Sequence, residues 1–373
     1  MTFNYRLAII SDPHVGLPHT IENNPNRFHL IEVSIPALET AFNHLEQLNI
    51  DLLLMPGDLT QDGEKDNHRW LQERLASLPY PVYVVPGNHD VRYLSEFEGY
   101  IALRDFSVYY QDFGYADSSK LYYSREVLPG LQLIGLNSNR FDADGQQLGS
   151  LDEEQLLWLD TTLAEIENKL VLVMIHHNVI EHLPGQSQHQ LGKRYMLDNA
   201  ETLKQILRKY GVKLVITGHL HVQDVATEGE LTEITTGSTV SYPHPYRVLD
   251  LQCDQNQQVK LSISSHRVKN VPGWENLQLS SRESMAQKSD VFMLKLLTGY
   301  PFNLAPDVAD LITPKLRYFW ADIAAGDAIF DFSDLPEPIG GYLERFGAKS
   351  PEGYPNLIDN HSTLLLKIPK AEV

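Results

Sequence analysis

YRLAIISDPH, residues 5–14, decides the fold. The apolar run Leu7, Ala8, Ile9, Ile10 breaks abruptly into a carboxylate and an imidazole, Asp12 and His14. Such a run reads as a strand buried on both faces, as in sheets covered by helices. The same construction recurs in LLLMPGD (52–58), which ends in Asp58, and in VYVVPGNHD (82–90), which carries Asn88, His89 and Asp90. It recurs again in LVLVMIHH (170–177), with His176 and His177, and in LVITGHLH (214–221), with His219 and His221. One polar group at a strand end is commonplace. The same placement on successive strands delivers all of them to one sheet edge, where α/β proteins assemble their sites.

Between these runs the spacing of apolar residues predicts helices over 36–48, 64–77, 151–166 and 199–210. Asp152 is the expected N-cap of the third, and Gly211 stops the fourth. Further strands are expected near 121–127, 131–137, 231–235, 247–252 and 257–264. Two sheets flanked by helices hold this many strands better than one wide sheet. Past Val268 the character changes. Helical stretches are expected over 281–298 and 306–325, the second split or kinked at Pro314, and no strong period survives from Asp331 onward. The expected division is a catalytic domain over 1–268 and an accessory helical region over 269–373, serving as a cap or as the interface of a homodimer.

Composition narrows the function. The net charge of −19 argues against affinity for long nucleic acid, which needs clustered Lys and Arg. It does not exclude a phosphate substrate, because bound divalent cations reverse the local field. Cys253 is the one cysteine, so neither an intrachain disulfide nor a thiolate metal site can form. No apolar stretch is long enough to span a bilayer, and the first strand begins too early to leave room for a signal peptide. A cytoplasmic enzyme with no membrane partner is therefore expected.

The polar residues have the types that bind metals. Asp12 and His14 are one residue apart, so on an extended chain both face one ion. Asp58 follows a glycine in a tight turn, where a carboxylate can bridge two cations, and Asn88 offers a neutral oxygen. A mixture of Asp, Asn and His suits iron, manganese or zinc and differs from the all-oxygen sets of calcium. These residues point to a binuclear metal hydrolase.

The ordered set D-x-H, GD, GNHD, H and GH-x-H resembles the signature of the calcineurin-like metallophosphoesterases over roughly residues 5–268. GDLTQDG and LDEEQLLWL are similar to segments of the class III cyclic nucleotide phosphodiesterases and glycerophosphodiesterases. The resemblance implies an α/β fold, a four-layer αββα sandwich of two mixed sheets flanked by helices, with a mainly helical C-terminal extension. It implies one metal on Asp12, His14, Asp58 and His221, and a second on Asp58, Asn88, His176 and His219. Such ions share a hydroxide that attacks phosphorus in line. His89 would assist the leaving oxygen, with Asp90 fixing its tautomer. The family usually has a proline soon after the paired histidines, where Asn178 stands here, so His177 remains an alternative ligand to His176. The expected substrate is a small soluble phosphodiester, a cyclic nucleotide among the candidates. The alternative is a phosphomonoester, whose extra charge needs more cations than Arg92, Arg27 and Arg140 supply. A nuclease or a silent scaffold is the lesser reading.

The other histidines, His19, His29, His44, His68, His182, His189, His244, His266 and His361, read as structural or surface residues. His182, His189 and Asn178 are alternatives for a substrate pocket, as are His244 and Arg247 in the turn 241–248. The stretch 185–194 fails as a phosphate loop, with the wrong glycine spacing and Arg194 in place of Ser or Thr. Cys253 reads as packing, and Tyr318, Phe319 and Trp320 as core or interface.

Overall fold

The computed structural model describes residues 2–24, 27–116, 119–188, 190–299, 302–350 and 352–368. Its strands, in chain order, are β1 (Phe3–Ile9), β2 (Leu52–Met55), β3 (Val82–Val84), β4 (Tyr123–Leu128), β5 (Leu131–Gly135), β6 (Asn139–Phe141) and β7 (Gln147–Gly149). Then follow β8 (Leu170–Met174), β9 (Leu214–Thr217), β10 (Asp224–Glu228), β11 (Leu231–Thr235), β12 (Pro245–Cys253), β13 (Gln258–Arg267) and β14 (His361–Lys367). One sheet has the order β14-β13-β12-β1-β2-β3 and the other β10-β11-β9-β8-β5-β4, while β6 and β7 form a separate ribbon. Both large sheets are mixed. In the first, β1, β2 and β3 run parallel; in the second, β5, β8, β9 and β11 do.

Alternation along the strands explains why the sheets stack. Leu172 and Met174 of β8, with Leu214 and Ile216 of β9, enter the core that also holds Leu7 and Ile9 of β1. Their neighbours Val173 and Val215 point the other way, onto Leu159, Leu163, Leu203 and Leu207 of the helices Glu153–Ala164 and Ala200–Lys209. Both faces of the strand are apolar because both are covered. Asp152 caps its helix as expected, accepting from the Gln155 N–H at 2.7 Å. Gly211 takes the left-handed conformation, φ 65°, past the next helix.

The C-terminal region builds its own core from the helices Leu277–Thr298, Pro306–Ile312, Phe319–Ala325 and Ile339–Glu344. A 3-10 turn, Thr313–Leu316, divides the second helix from the third at Pro314, which lacks the N–H an α-helix needs there. Beyond these helices the chain returns to the first sheet as β14, paired antiparallel with β13. That strand was not legible in the sequence, because only Leu366 of it is buried and its apolar residues do not alternate. Among the described residues no helix is long and apolar enough to cross a membrane.

Candidate metal centre

Strands β1, β2, β3, β8 and β9 end at Ile9, Met55, Val84, Met174 and Thr217, and the expected ligands follow within a few residues of each. The chain there is not extended, contrary to the alternation expected at Asp12 and His14. Asp12 (φ 49°), His14 (φ 41°), Asp58 (φ 49°), His219 (φ 68°) and His221 (φ 58°) all adopt left-handed backbone. Non-glycine residues enter that region rarely and at a cost, and such residues concentrate at functional sites. Parallel pairing continues through the turns, with Asp12 N–H donating to Gly57 O (3.2 Å) and His14 N–H to Asp58 O (3.0 Å). This pairing brings Asp12 and His14 beside Asp58. The motif glycines have a steric reason as well: a Cβ on Gly87 would strike Asp58, and one on Gly218 would strike Ser11 and Asp12.

The side chains gather into two groups that share Asp58. Donor atoms of Asp12, His14, Asp58 and His221 lie within 4.8 Å of one another, as do those of Asp58, His176 and His219. His14 Nε2 faces His221 Nε2 at 3.3 Å, and His221 Nε2 lies 3.2 Å from Asp12 Oδ1. Asp58 Oδ2 is 3.8 Å from His14 Nε2 and 3.3 Å from His176 Nε2, with Asn88 Oδ1 a further 3.1 Å from His176 Nε2. Two imidazole nitrogens face to face, ringed by buried carboxylates, form a donor set that fits borderline divalent cations. The His/Asp cluster can hold a dimetal centre. His177 instead faces Ser138, its Nδ1 2.7 Å from Oγ, and so the structure turns His176 rather than His177 toward Asp58.

The electrostatics follow from burial. Burial and the neighbouring His29 push His14 well below its usual range, and burial and His177 do the same to His219, so both rings are neutral and able to donate lone pairs. Asp58 is held well below the usual carboxylate range by the His176 charge, against the opposing effect of burial. That same contact, again against burial, raises His176 to about 9. A cation entering there must displace the His176 proton.

His89 sits where the two groups open, its backbone N–H donating to Asp58 Oδ1 at 2.8 Å. Its Nδ1 donates to the Gln61 carbonyl at 2.6 Å, which leaves Nε2 to serve the cavity that His89 lines. Burial opposes its charge, but Asp58 and Asp62 together raise it to about 9. Here the expectation for Asp90 is corrected. Its carboxylate does not orient His89; it accepts from the backbone N–H of Thr60 and of Gly87, each at 2.8 Å. Asp90 ties two ligand-bearing turns together, and Gln61 and Asp62 hold the imidazole.

Sequence reasoning missed His29. Its ring stacks on His14 at 4.4 Å between centroids, its donor lies within 4.8 Å of those of His14 and His221, and its buried Nε2 has no hydrogen-bond partner. No motif marks it, because it comes from a loop distant from every strand end. Other candidates fall away from the centre. Asn178 donates to Thr217 Oγ1 and to Glu233 Oε1 in the buried layer beneath it, each at 3.1 Å. His182 is enclosed by Asp224 (2.6 Å) and Glu233 (2.9 Å). His244 is buried against Thr239 O, and Arg247, fully buried, binds Asp359 O and Thr235 O. Arg140 binds Ser150 Oγ, Cys253 is buried on β12, and His189 lies outside the described residues.

Above the two groups opens a cavity of about 1030 Å³, lined by Asp58, Asn88, His89, His219 and His221 and, from the C-terminal region, by Phe292, Trp320 and Phe346. Trp320 therefore faces the cavity, and Phe319, a member of the C-terminal core, lines it as well.

A family model described as calcineurin-like phosphoesterase matches residues 5–223. The chain is 28% identical over 257 residues to a protein of Arcobacter nitrofigilis described as a probable glycerophosphodiester phosphodiesterase, covering 66% of this chain and 81% of that one. It is 29% identical over 201 residues to the 3′,5′-cyclic adenosine monophosphate phosphodiesterase of Escherichia coli K12, covering 53% of this chain and 65% of that one. Among solved structures, a dimetal phosphatase from Danio rerio shares the fold at a TM-score of 0.52 and 17% identity, over 70% of this chain and 96% of that one.

Proposed function

The chain belongs to the calcineurin-like phosphoesterase family, and on that premise we propose that it hydrolyses a small phosphodiester, with His89 protonating the leaving oxygen. Asp12, His14, Asp58 and His221 would hold one metal, and Asp58, Asn88, His176 and His219 the other; iron, manganese and zinc all suit these donors. Such ions supply a nucleophile at neutral pH and offset charge on the phosphoryl oxygens. The chain's own part is to fix the donors and to move one proton. The position of His89 carries this reading. With Nδ1 committed to Gln61 O, Nε2 is left facing the cavity, placed to hand a proton to the leaving oxygen. A general acid in this position is needed most when the leaving group is a poor one such as an alkoxide.

The cavity cations also favour a diester. Arg27 is paired with Glu32 at 2.5 Å, and Arg92 is paired with Asp62, so neither is free to offset the second charge of a monoester. The monoester reading keeps one specific support: Lys295 and Arg194 line the same cavity and make no ion pair with a carboxylate among the described residues. Steady-state hydrolysis of bis(p-nitrophenyl) phosphate beside p-nitrophenyl phosphate, in manganese-loaded enzyme with a chelated control, decides between them. Faster chelator-sensitive turnover of the diester is expected. Preference for the monoester would move the assignment to a phosphatase.

A further inference from the structure

The cavity over the metal groups has two unlike walls. On one side stand polar groups of the catalytic sheets, among them Gln61, Asp62, Arg92 and Gln147. On the other the C-terminal region presents Phe292, Leu296, Trp320, Tyr342 and Phe346, with Ser289 and Lys295 among them. Those five apolar and aromatic side chains are partly buried and pack against the C-terminal core, two of whose buried members, Met285 and Phe319, also line the cavity. Each thus has one side on the core and another on the cavity. Four of the five are aromatic, with Phe292 and Trp320 tilted against each other at 5.6 Å between centroids.

Size and chemistry together restrict the occupant. A cavity of about 1030 Å³ matches the volume that encloses a whole drug-sized ligand and far exceeds a phosphoryl group with two small alkyl arms. Burial of apolar surface is favourable in proportion to its area, so an occupant that covers this wall gains what a polyol would forgo. Aromatic rings gain more still against tilted and edge-on partners. The wall stands over the metal groups because the chain between His219 and Val222 serves both regions. His219 and His221 face the cavity while Leu220 and Val222 are buried in the C-terminal core. Lys288 adds a second tie, donating to the Arg27 carbonyl in the loop that carries His29.

We propose that the substrate is a phosphodiester with one aromatic group, of aryl or nucleobase size, seated on Phe292, Trp320 and Tyr342. This rests on the phosphodiesterase reading and adds a substrate class to it. The C-terminal region is then the specificity element of the enzyme.

The test is competitive inhibition of the manganese-loaded full chain by monomethyl phosphonates. Each carries one negative charge and differs only in the carbon substituent: methyl, hexyl, benzyl or 1-naphthylmethyl. The inhibition constant is expected to fall at least thirtyfold from methyl to naphthylmethyl, with benzyl binding more tightly than hexyl. In Trp320→Leu and in Phe292→Ala the ratio of methyl to naphthylmethyl constants should shrink at least fivefold. Near-ultraviolet circular dichroism checks that each variant keeps its packing, and two variants guard against one failing to fold. Equal constants across the series, or hexyl binding as well as benzyl, would overturn the inference. If the chromogenic monoester is preferred while the series still shows the aromatic trend, the diester reading fails and the wall stands. If the diester is hydrolysed while the series is flat, the wall alone fails.

Discussion

The histidine–aspartate edge and the C-terminal wall meet at one cavity but are built under opposite constraints. At the edge, chemistry dictates residue identity: only Asp, Asn and His supply the donors, and only glycine fits at Gly87 and Gly218, where a Cβ would strike Asp58 or Asp12. Five of the donor residues also sit in a strained backbone, which persists because neighbouring turns over-determine it. In the wall, Leu296 and Phe346 are held by packing against the C-terminal core, and packing tolerates exchange among apolar residues of similar volume. The edge is therefore written in residues that leave little choice, and the wall in residues that leave more.

The largest effect should come from breaking the edge at its shared member. Asp58→Asn removes the carboxylate common to both groups, so both metals should be lost and turnover should fall by at least about 10³-fold. Metal content after gel filtration, with circular dichroism as a fold control, checks this. Retention of two metals would show that Asp58 does not bridge. Next is His89→Ala, which should keep both metals and lose about 10²–10⁴-fold in kcat on alkyl leaving groups, and much less on p-nitrophenolate. An equal loss on all leaving groups would remove His89 from the acid role.

A third prediction tests how the two regions are joined. Leu220 is buried in the C-terminal core between two candidate ligands, His219 and His221. Leu220→Ala should cost about 3 kcal/mol of stability through the cavity it leaves, and should weaken metal binding as well. Leu335→Ala, in the same core but away from the histidine turn, should cost about as much while leaving metal affinity unchanged. Urea denaturation beside metal titration separates the two. Equal metal affinity in both variants would mean that the C-terminal core does not position His219 and His221.

The smallest effect concerns pH. His182 is held between Asp224 and Glu233, which, against burial, raise it to about 10. Its folded pKa lies above its unfolded value near 6.5. The stabilisation is therefore fully present below pH 6.5 and is lost as pH rises toward 10. The melting temperature should fall on the order of 5 °C between pH 7 and 10, and His182→Gln should flatten that slope. A slope identical in the variant would assign the alkaline loss to other groups.

Much of the edge was legible before any coordinates, because a buried strand that ends in a metal-binding residue leaves a compact local pattern. What the pattern hid was backbone: the same Asp12 and His14 converge through left-handed turns, not through an extended chain. The family resemblance put Asp90 behind His89, as a carboxylate often sits behind an imidazole, whereas its carboxylate turns back to Thr60 and Gly87. His29 was illegible because its approach to His14 is purely tertiary. So was β14, an edge strand held by backbone pairing to β13 with little burial to leave a period. Trp320 resembled any core aromatic, since nothing in the sequence says which face of a short helix meets a cavity.

The central claim is that the edge holds two cations that share Asp58. Anomalous diffraction at the manganese edge, from crystals grown with excess manganese, tests it most directly. Two peaks are predicted, one enclosed by Asp12, His14, Asp58 and His221, the other by Asp58, Asn88, His176 and His219. A single peak, or two peaks of which only one contacts Asp58, would contradict the account.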